Sequence, residues 1–283
     1  MDHSELKPKL DLVATERVRF HEHPQRRRTL RLVEKIRQDA FLRNPPIVAG
    51  LGAGDYLLLD GANRVSAMKE LGYSHIPAQI VDYGDPAIQL KVWHHALIQG
   101  RSLNLLETFR AMPELRVDPV STGKLGRYLE LRRVYAIFVD ESADCWGLFP
   151  STGVHSVESF DRIAVMGRIV ASYEGQSDLE RIKLADFSAL PDVLRSLEHQ
   201  LCLFPGLTKE ELMDLARAKV MIPTGITRHL IPGRALGLNI DLGFLTENTS
   251  EEAKQKHFRA HLDQLEMDGR IRFYEESVFV MNE

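Results

Sequence analysis

Apolar and polar positions along the chain divide it into recognisable elements. "LDLVATERVRF" (10–20) alternates loosely, as an extended lead-in does. Leu30, Val33, Ile36 and Ala40 then recur at helical spacing with Arg and Glu on the other side, predicting a helix from Arg26 to Ala40 that Pro45-Pro46 closes off. "PIVAG" (46–50) and "YLLLD" (56–60) read as strands around the glycine-rich turn "LGAGD". A helix from Ala62 to Leu71 follows, with Val65, Met68 and Leu71 facing inward and Gly72 as a left-handed stop. "IPAQIVDY" is the next strand, and "DPAIQLKVWHHALIQG" (85–100) reads as a helix with Pro86 near its first turn.

The pattern changes near residue 101. "RYLELRRVYAIFVD" and "CWGLFP" suggest strands, and "SVESFDRIAVMGRIVASY" a helix. "TKEELMDLARAKV" opens with a capping box, Thr208 with Glu211, and "TSEEAKQKHFRAHLDQLEMDG" repeats the device with Thr249 and Glu252. "RIRFYEESVFVMNE" predicts a closing hairpin. The expected fold is α/β (α+β): a small domain over residues 1–100, packed on a larger mixed α/β domain over 101–283 with a cleft between them.

Composition narrows the classes. Apolar residues make up 44% and charged residues 27% of 283 positions, as in soluble globular proteins. No apolar run approaches the roughly 20 residues that span a bilayer. The first ten residues lack a signal-peptide core, so no membrane partner and a cytoplasmic location are expected. Cys145 and Cys202 lie far apart, which speaks against a disulfide framework or a zinc knuckle. A net charge of -4 makes nucleic acid an unexpected partner.

Candidate chemistry concentrates in "LLLDGANRVSAMKELG" (57–72). A strand, a glycine turn and a helix N-terminus make an anion site, because the first amide N–H groups of a helix have no intrahelical partner. Gly61 allows close backbone approach, and Arg64 adds a forked donor suited to phosphate. Asp60 repels phosphate unless it holds Mg²⁺ or accepts a proton; the alternative is that it caps the helix. Upstream, "FHEHPQRRR" sets Glu22 between two histidines, either as a functional carboxylate or as a surface partner for Arg26 or Arg27. His21 and His23 alone are a weak metal signal, and no metal site is assigned. "VMIPTGITRHLIPGRALGLNI" (220–240) is a structured loop rich in Thr227, Arg228, His229 and Arg234; if it is extended, Thr227 and His229 point one way and Arg228 the other.

"LLLDGANRVSAMKELGYSHIPAQIVDY", with the preceding "IRQDAFLRNPPIV", resembles the core motif of the ParB/sulfiredoxin superfamily over roughly residues 10 to 100. Sulfiredoxins carry a nucleophilic cysteine after the turn glycine, where this chain has Ala62. ParB partition proteins carry a "GERR" turn and a helix-turn-helix domain that is not evident here. The free L-serine kinase branch, with its "DGHHR" or "DGHNR" turn, is the best match, and "IPTGITRHLIPGR" extends that resemblance into the second half. The usual histidine is replaced by Ala62.

The resemblance implies a phosphotransferase that moves a phosphoryl group from ATP or ADP, with Mg²⁺, to the hydroxyl of free L-serine, giving O-phospho-L-serine. It implies catalytic roles for Glu22, as base, and Asp60. Gly61, Ala62, Asn63 and Arg64 would bind nucleotide phosphate, and Trp93, Thr227, Arg228, His229 and Arg234 would bind serine or product. A ParB-like, nucleotide-responsive DNA-binding regulator, using "RRRTLRLVEKIR" as a basic face, is the alternative.

Overall fold

The computed structural model describes residues 7–98, 103–152, 159–176, 178–184, 200–247 and 249–273. The chain divides into two compact units. Unit 1 comprises residues 1–19, 24–87 and 231–283; unit 2 comprises residues 20–23 and 88–230. This division differs from the expected boundary near residue 100: the chain enters unit 2 at Ile88 and returns to unit 1 at Ile231.

The first part of unit 1 follows the expected order. Strands β1 (Lys9–Ala14) and β2 (Val18–Arg19) precede helix α1 (Arg26–Asp39). β3 (Phe41–Leu42), β4 (Ile47–Gly52), β5 (Asp55–Asp60), α2 (Ala62–Glu70) and β6 (His75–Val81) follow. A five-stranded mixed sheet runs β1-β6-β4-β5-β2. β1–β6 and β4–β5 pair antiparallel, while β4–β6 and β2–β5 pair parallel. α1 lies beside α2. Val65 and Met68 of α2 are fully buried with Val48, Leu57 and Ile76 of the sheet, so the helix face predicted from spacing is the one that packs.

Unit 2 departs more from expectation. The segment read as one helix over 85–100 forms two strands, β7 (Gln89–Val92) and β8 (His94–Ile98), with Trp93 at the break. Leu90, Trp93 and Leu97 fit a helical period, but Ile88, Leu90 and Val92 also fit a period of two, and sheet pairing decides between them. Next come α3 (Leu105–Arg110), β9 (Leu115–Pro119), α4 (Leu125–Glu130), β10 (Ala136–Val139) and β11 (Cys145–Pro150). The "RYLE" part of the predicted strand is therefore helical; Leu125 and Leu129, four apart, are its buried side. α5 (Ser159–Ala171), β12 (Asp178–Ile182), β13 (Gln200–Leu203), α6 (Lys209–Arg217) and β14 (Thr227–Leu230) complete the unit. Thr208 and Glu211 cap α6 reciprocally, as predicted. The main sheet has the order β12-β8-β13-β10-β11-β9, and β14 pairs antiparallel with β7. Its core gathers Ala96, Leu125, Ile137, Val139, Leu201 and Leu203.

The chain then re-enters unit 1 as β15 (Ile240–Asp241), α7 (Gly243–Thr246) and α8 (Glu251–Met267). β15 pairs with β3, and α8 packs on β1. Ser250, not Thr249, caps α8 by accepting the Ala253 N–H. The hairpin expected over the last residues falls largely outside the described residues. Among the described residues, no helix is long and apolar enough to cross a membrane.

Candidate functional site

The candidate residues fall into two sets, one in each unit. In unit 1, β5 delivers Asp60, and Gly61 turns the chain into α2 with φ of +98°. A side chain at Gly61 is blocked as well as strained, since its Cβ would lie 2.8 Å from the Cβ of Pro46. Gly61 is the N-cap of α2, and no side chain caps that end. Asp60 is thus no cap. Its Oδ2 accepts from Arg64 Nη2 at 2.7 Å and from Arg234 Nη2 at 2.5 Å. Arg64 Nη1 also donates to the carbonyls of Asn44 and Pro45, both at 2.9 Å, so three guanidinium bonds fix its plane.

Asn63 acts as a lock between helices. Its Oδ1 accepts from the Gln25 N–H at 2.8 Å and from the Thr29 hydroxyl at 3.2 Å, joining the starts of α1 and α2. Ala62 adds only a backbone N–H and a methyl group to this end of the helix. Two residues that sequence reasoning missed set the position of Arg234. Buried Gln79 donates to the Gly233 carbonyl at 2.9 Å and accepts from the Ala235 N–H at 2.9 Å, straddling the arginine. Asn44 Oδ1 accepts from the Gly237 N–H at 2.8 Å. Asp60, Arg64, Arg234, Lys35 and Arg43 line a cavity of about 380 Å³ with Ile36, Leu42 and other apolar side chains. Arg234, grouped by sequence with the "TGITRH" loop, lies in this unit and pairs with Asp60.

In unit 2, the short stretch 20–23 runs beside the 222–227 loop through a parallel bridge between Glu22 and Ile222. The Glu22 carboxylate is held at both oxygens. Oε2 accepts from the Gly225 N–H at 2.9 Å, and Oε1 from the Thr227 N–H at 2.7 Å and the Thr227 hydroxyl at 2.5 Å. The surface-pair reading with Arg26 or Arg27 is not what forms; Arg26 pairs with Glu70. The Thr227 hydroxyl has one hydrogen, given to Glu22, so His21 Nε2, 2.8 Å away, is the donor to its oxygen. β14 is extended. Thr227 and His229 meet the His21 side, with the two histidine rings 5.5 Å apart, while Arg228 turns the other way and lies 4.8 Å over the Trp93 ring.

Two further cations of unit 2, Lys183 and Arg181, were not singled out in the sequence. Lys183 Nζ lies 5.5 Å over the Trp93 ring. The Arg181 guanidinium fills the space a side chain on Gly225 would need, its Nε meeting the Cβ position. "ERIKL" gives both cations a period-two spacing beside a strand, which a solvated edge explains equally well. Buried His94 and His95 are held down to about 4, chiefly by desolvation, so both are neutral near pH 7. Among the described residues, no three His, Cys, Asp or Glu side chains cluster as a metal site.

No family model matches the chain. Curated relatives do. An ATP-dependent L-serine kinase of Staphylothermus marinus is 28% identical over 231 residues, covering 78% of this chain and 85% of that protein. The ATP-dependent L-serine kinase SbnI of Staphylococcus aureus is 24% identical over 281 residues, covering 97% of both. Among solved structures, C-terminally truncated SbnI superposes with a TM-score of 0.73 at 21% identity, covering 93% of this chain and 99% of that one. A free serine kinase in complex with AMP gives 0.69 at 18% identity, covering 84% and 94%. The expected kinship with the free L-serine kinases, and the mixed α/β fold that goes with it, are borne out by these matches.

Proposed function

We propose that the protein is a free L-serine kinase, transferring a phosphoryl group from ATP or ADP to the serine hydroxyl to give O-phospho-L-serine. The observation that carries this reading is the Glu22 carboxylate, oriented by two backbone N–H groups and the Thr227 hydroxyl on a stretch between two histidines. A serine hydroxyl is a weak nucleophile until its proton has a destination, and an oriented carboxylate supplies one.

In this reading the serine Oγ attacks the terminal phosphorus while Glu22 takes the Oγ proton. The new bond is Oγ–P; the bond that breaks joins the terminal phosphorus to the bridging oxygen. The electron pair leaves with ADP if the donor is ATP, or with AMP if it is ADP. Thr227, Arg228, His229 and Trp93 bind the amino acid and its product.

Arg64 and the N–H groups at the start of α2, including those of Ala62 and Asn63 after Gly61, receive nucleotide phosphate. Asp60 is held by two guanidinium groups on one oxygen, so Oδ1 is the atom suited to a cation. A single carboxylate fits Mg²⁺ that arrives on nucleotide phosphates, not a dedicated protein cage. Such a cation would neutralise charge on the transferred group. Arg234 pairs with Asp60, which supports a role for it on the nucleotide side. A cytoplasmic setting suits these soluble substrates.

The regulator alternative is disfavoured by the net charge of -4 and by the curated activities of the relatives. The test is incubation of purified protein with L-serine, Mg²⁺ and either nucleotide. Formation of O-phosphoserine, abolished in Glu22→Gln with the fold retained, supports the reading; no product with either nucleotide removes it.

A further inference from the structure

Glu22 depends on the 225–227 turn, and one residue outside that turn grips it. Gly225 has φ of +81°; its N–H reaches Glu22 at 2.9 Å and its carbonyl accepts from His95 Nε2 at 3.1 Å. One residue of backbone therefore links His95 to Glu22. His95 sits on β8 and is fully buried. Its other nitrogen, Nδ1, lies 2.8 Å from the hydroxyl of Tyr173, also fully buried.

The proton positions follow from the partners. A carbonyl only accepts, so Nε2 carries the hydrogen; Nδ1 of the neutral ring then accepts from the Tyr173 O–H. Neutrality is enforced by burial, which holds the imidazole down to about 4. The Phe204 ring packs edge-on 5.1 Å away and Tyr173 lies perpendicular at 5.9 Å, so the imidazole plane is set by packing as well as by bonds. The result is a directed chain, Tyr173 to His95 to the Gly225 carbonyl, with the Gly225 N–H aimed at Glu22.

We propose that His95 is a positioning residue for the phosphoryl transfer: with Tyr173 behind it, it fixes the Gly225 turn so that the Glu22 carboxylate keeps the orientation needed to take the serine proton. This rests on the reading of Glu22 as the base. His95 touches neither substrate in this scheme; its effect passes through the turn. A small misplacement of a reacting group lowers turnover by up to about 100-fold.

Two substitutions of His95 separate this role from simple core packing. The amide nitrogen of Gln reaches the place of Nε2 and can donate to the Gly225 carbonyl; that of Asn reaches only the place of Nδ1. Steady-state kinetics of both variants, with O-phosphoserine as readout, are expected to show kcat falling on the order of 10- to 100-fold in His95→Asn with both KM values within about twofold. In His95→Gln most of the turnover returns. Equal kcat in the two variants, or a loss carried by KM, overturns the proposal. If His95→Asn does not fold, Tyr173→Phe decides: a fall in kcat with unchanged KM supports the relay, and unchanged kcat overturns it. Glu22→Gln run alongside keeps the two readings apart. An active Glu22→Gln variant removes the base assignment itself, whereas an inactive one with indifferent His95 variants removes only the relay.

Discussion

Thr227 gives both its backbone N–H and its hydroxyl to the same oxygen of Glu22, at 2.7 and 2.5 Å. Two donors from one residue fix a carboxylate more tightly than two from separate residues, because the donors share one backbone orientation. A hydrogen bond to a charged group contributes about 1.5–3 kcal/mol. Thr227→Val, which removes only the hydroxyl, is expected to lower kcat by about tenfold or more, and Thr227→Ser to stay within about threefold. Turnover measured at saturating serine and nucleotide checks this; equal rates in the two variants would show that the hydroxyl plays no part.

Gly225 and Gly175 both have left-handed backbones, with φ of +81° and +78°. A methyl group at 175 meets nothing within 4 Å, whereas at 225 it would run into Arg181 Nε. Gly175→Ala is expected to cost about 1 kcal/mol from backbone strain alone. Gly225→Ala carries the same strain plus the displacement of a guanidinium, and should cost about 2–3 kcal/mol and lower turnover as well. Urea unfolding of the two variants makes the comparison; equal costs would argue against a close Arg181 contact.

The nucleotide role proposed for Arg234 predicts that its loss separates the two substrates kinetically. Its bond to Asp60 and its place in the unit 1 cavity predict that Arg234→Ala raises KM for nucleotide about tenfold, equivalent to about 1.4 kcal/mol, with KM for serine within about twofold. The opposite pattern would return Arg234 to the amino-acid side, where its position in the sequence had suggested it belonged.

Acidification tests the two buried imidazoles. Both are lowered from 6.5 to about 4, so the unfolded chain binds more protons than the folded one between these values. Stability then rises with pH over that window: their contribution is complete above about pH 6.5 and is lost as pH falls toward 4. The melting temperature should drop on going from pH 7 to pH 5, and His95→Gln should show a smaller drop. An identical pH dependence in the two proteins would contradict burial of a neutral ring.

Much of the candidate site's local geometry could be read in the sequence because its signals are local. Asp60-Gly61 after an apolar run, Glu22 between two histidines and the "TGITRH" stretch each occupy a few consecutive residues, and the turn, the carboxylate and the extended strand form where those patterns lie. Other parts depend on partners distant in the chain. Gln79 reads as an ordinary strand residue until its side chain is seen spanning Arg234, 155 positions on as counted by the residue numbers. His95 and Tyr173 are 78 positions apart, and neither carries a motif. The helix expected over 85–100 gives way to strands because the apolar spacing of 88–97 satisfies two periods, and pairing with β12, β13 and β14 settles the conflict. For Asp60 the sequence leaves the helix cap open as an alternative; Gly61 takes the N-cap place, and two arginines occupy the Asp60 Oδ2 instead.

Unit 1 is written in the chain as separate stretches, with residues 88–230 intervening before its last part begins. During synthesis the Asp60 turn therefore leaves the ribosome long before Arg234, the second guanidinium that will bind it. A shortened protein ending at residue 87 would retain the Asp60-Gly61 turn and yet lack Arg234, β15 and α8. Dissection at residue 87 would consequently yield an unfinished unit 1, and a circularly permuted chain joining 231–283 to the front is the form in which that unit could be studied alone.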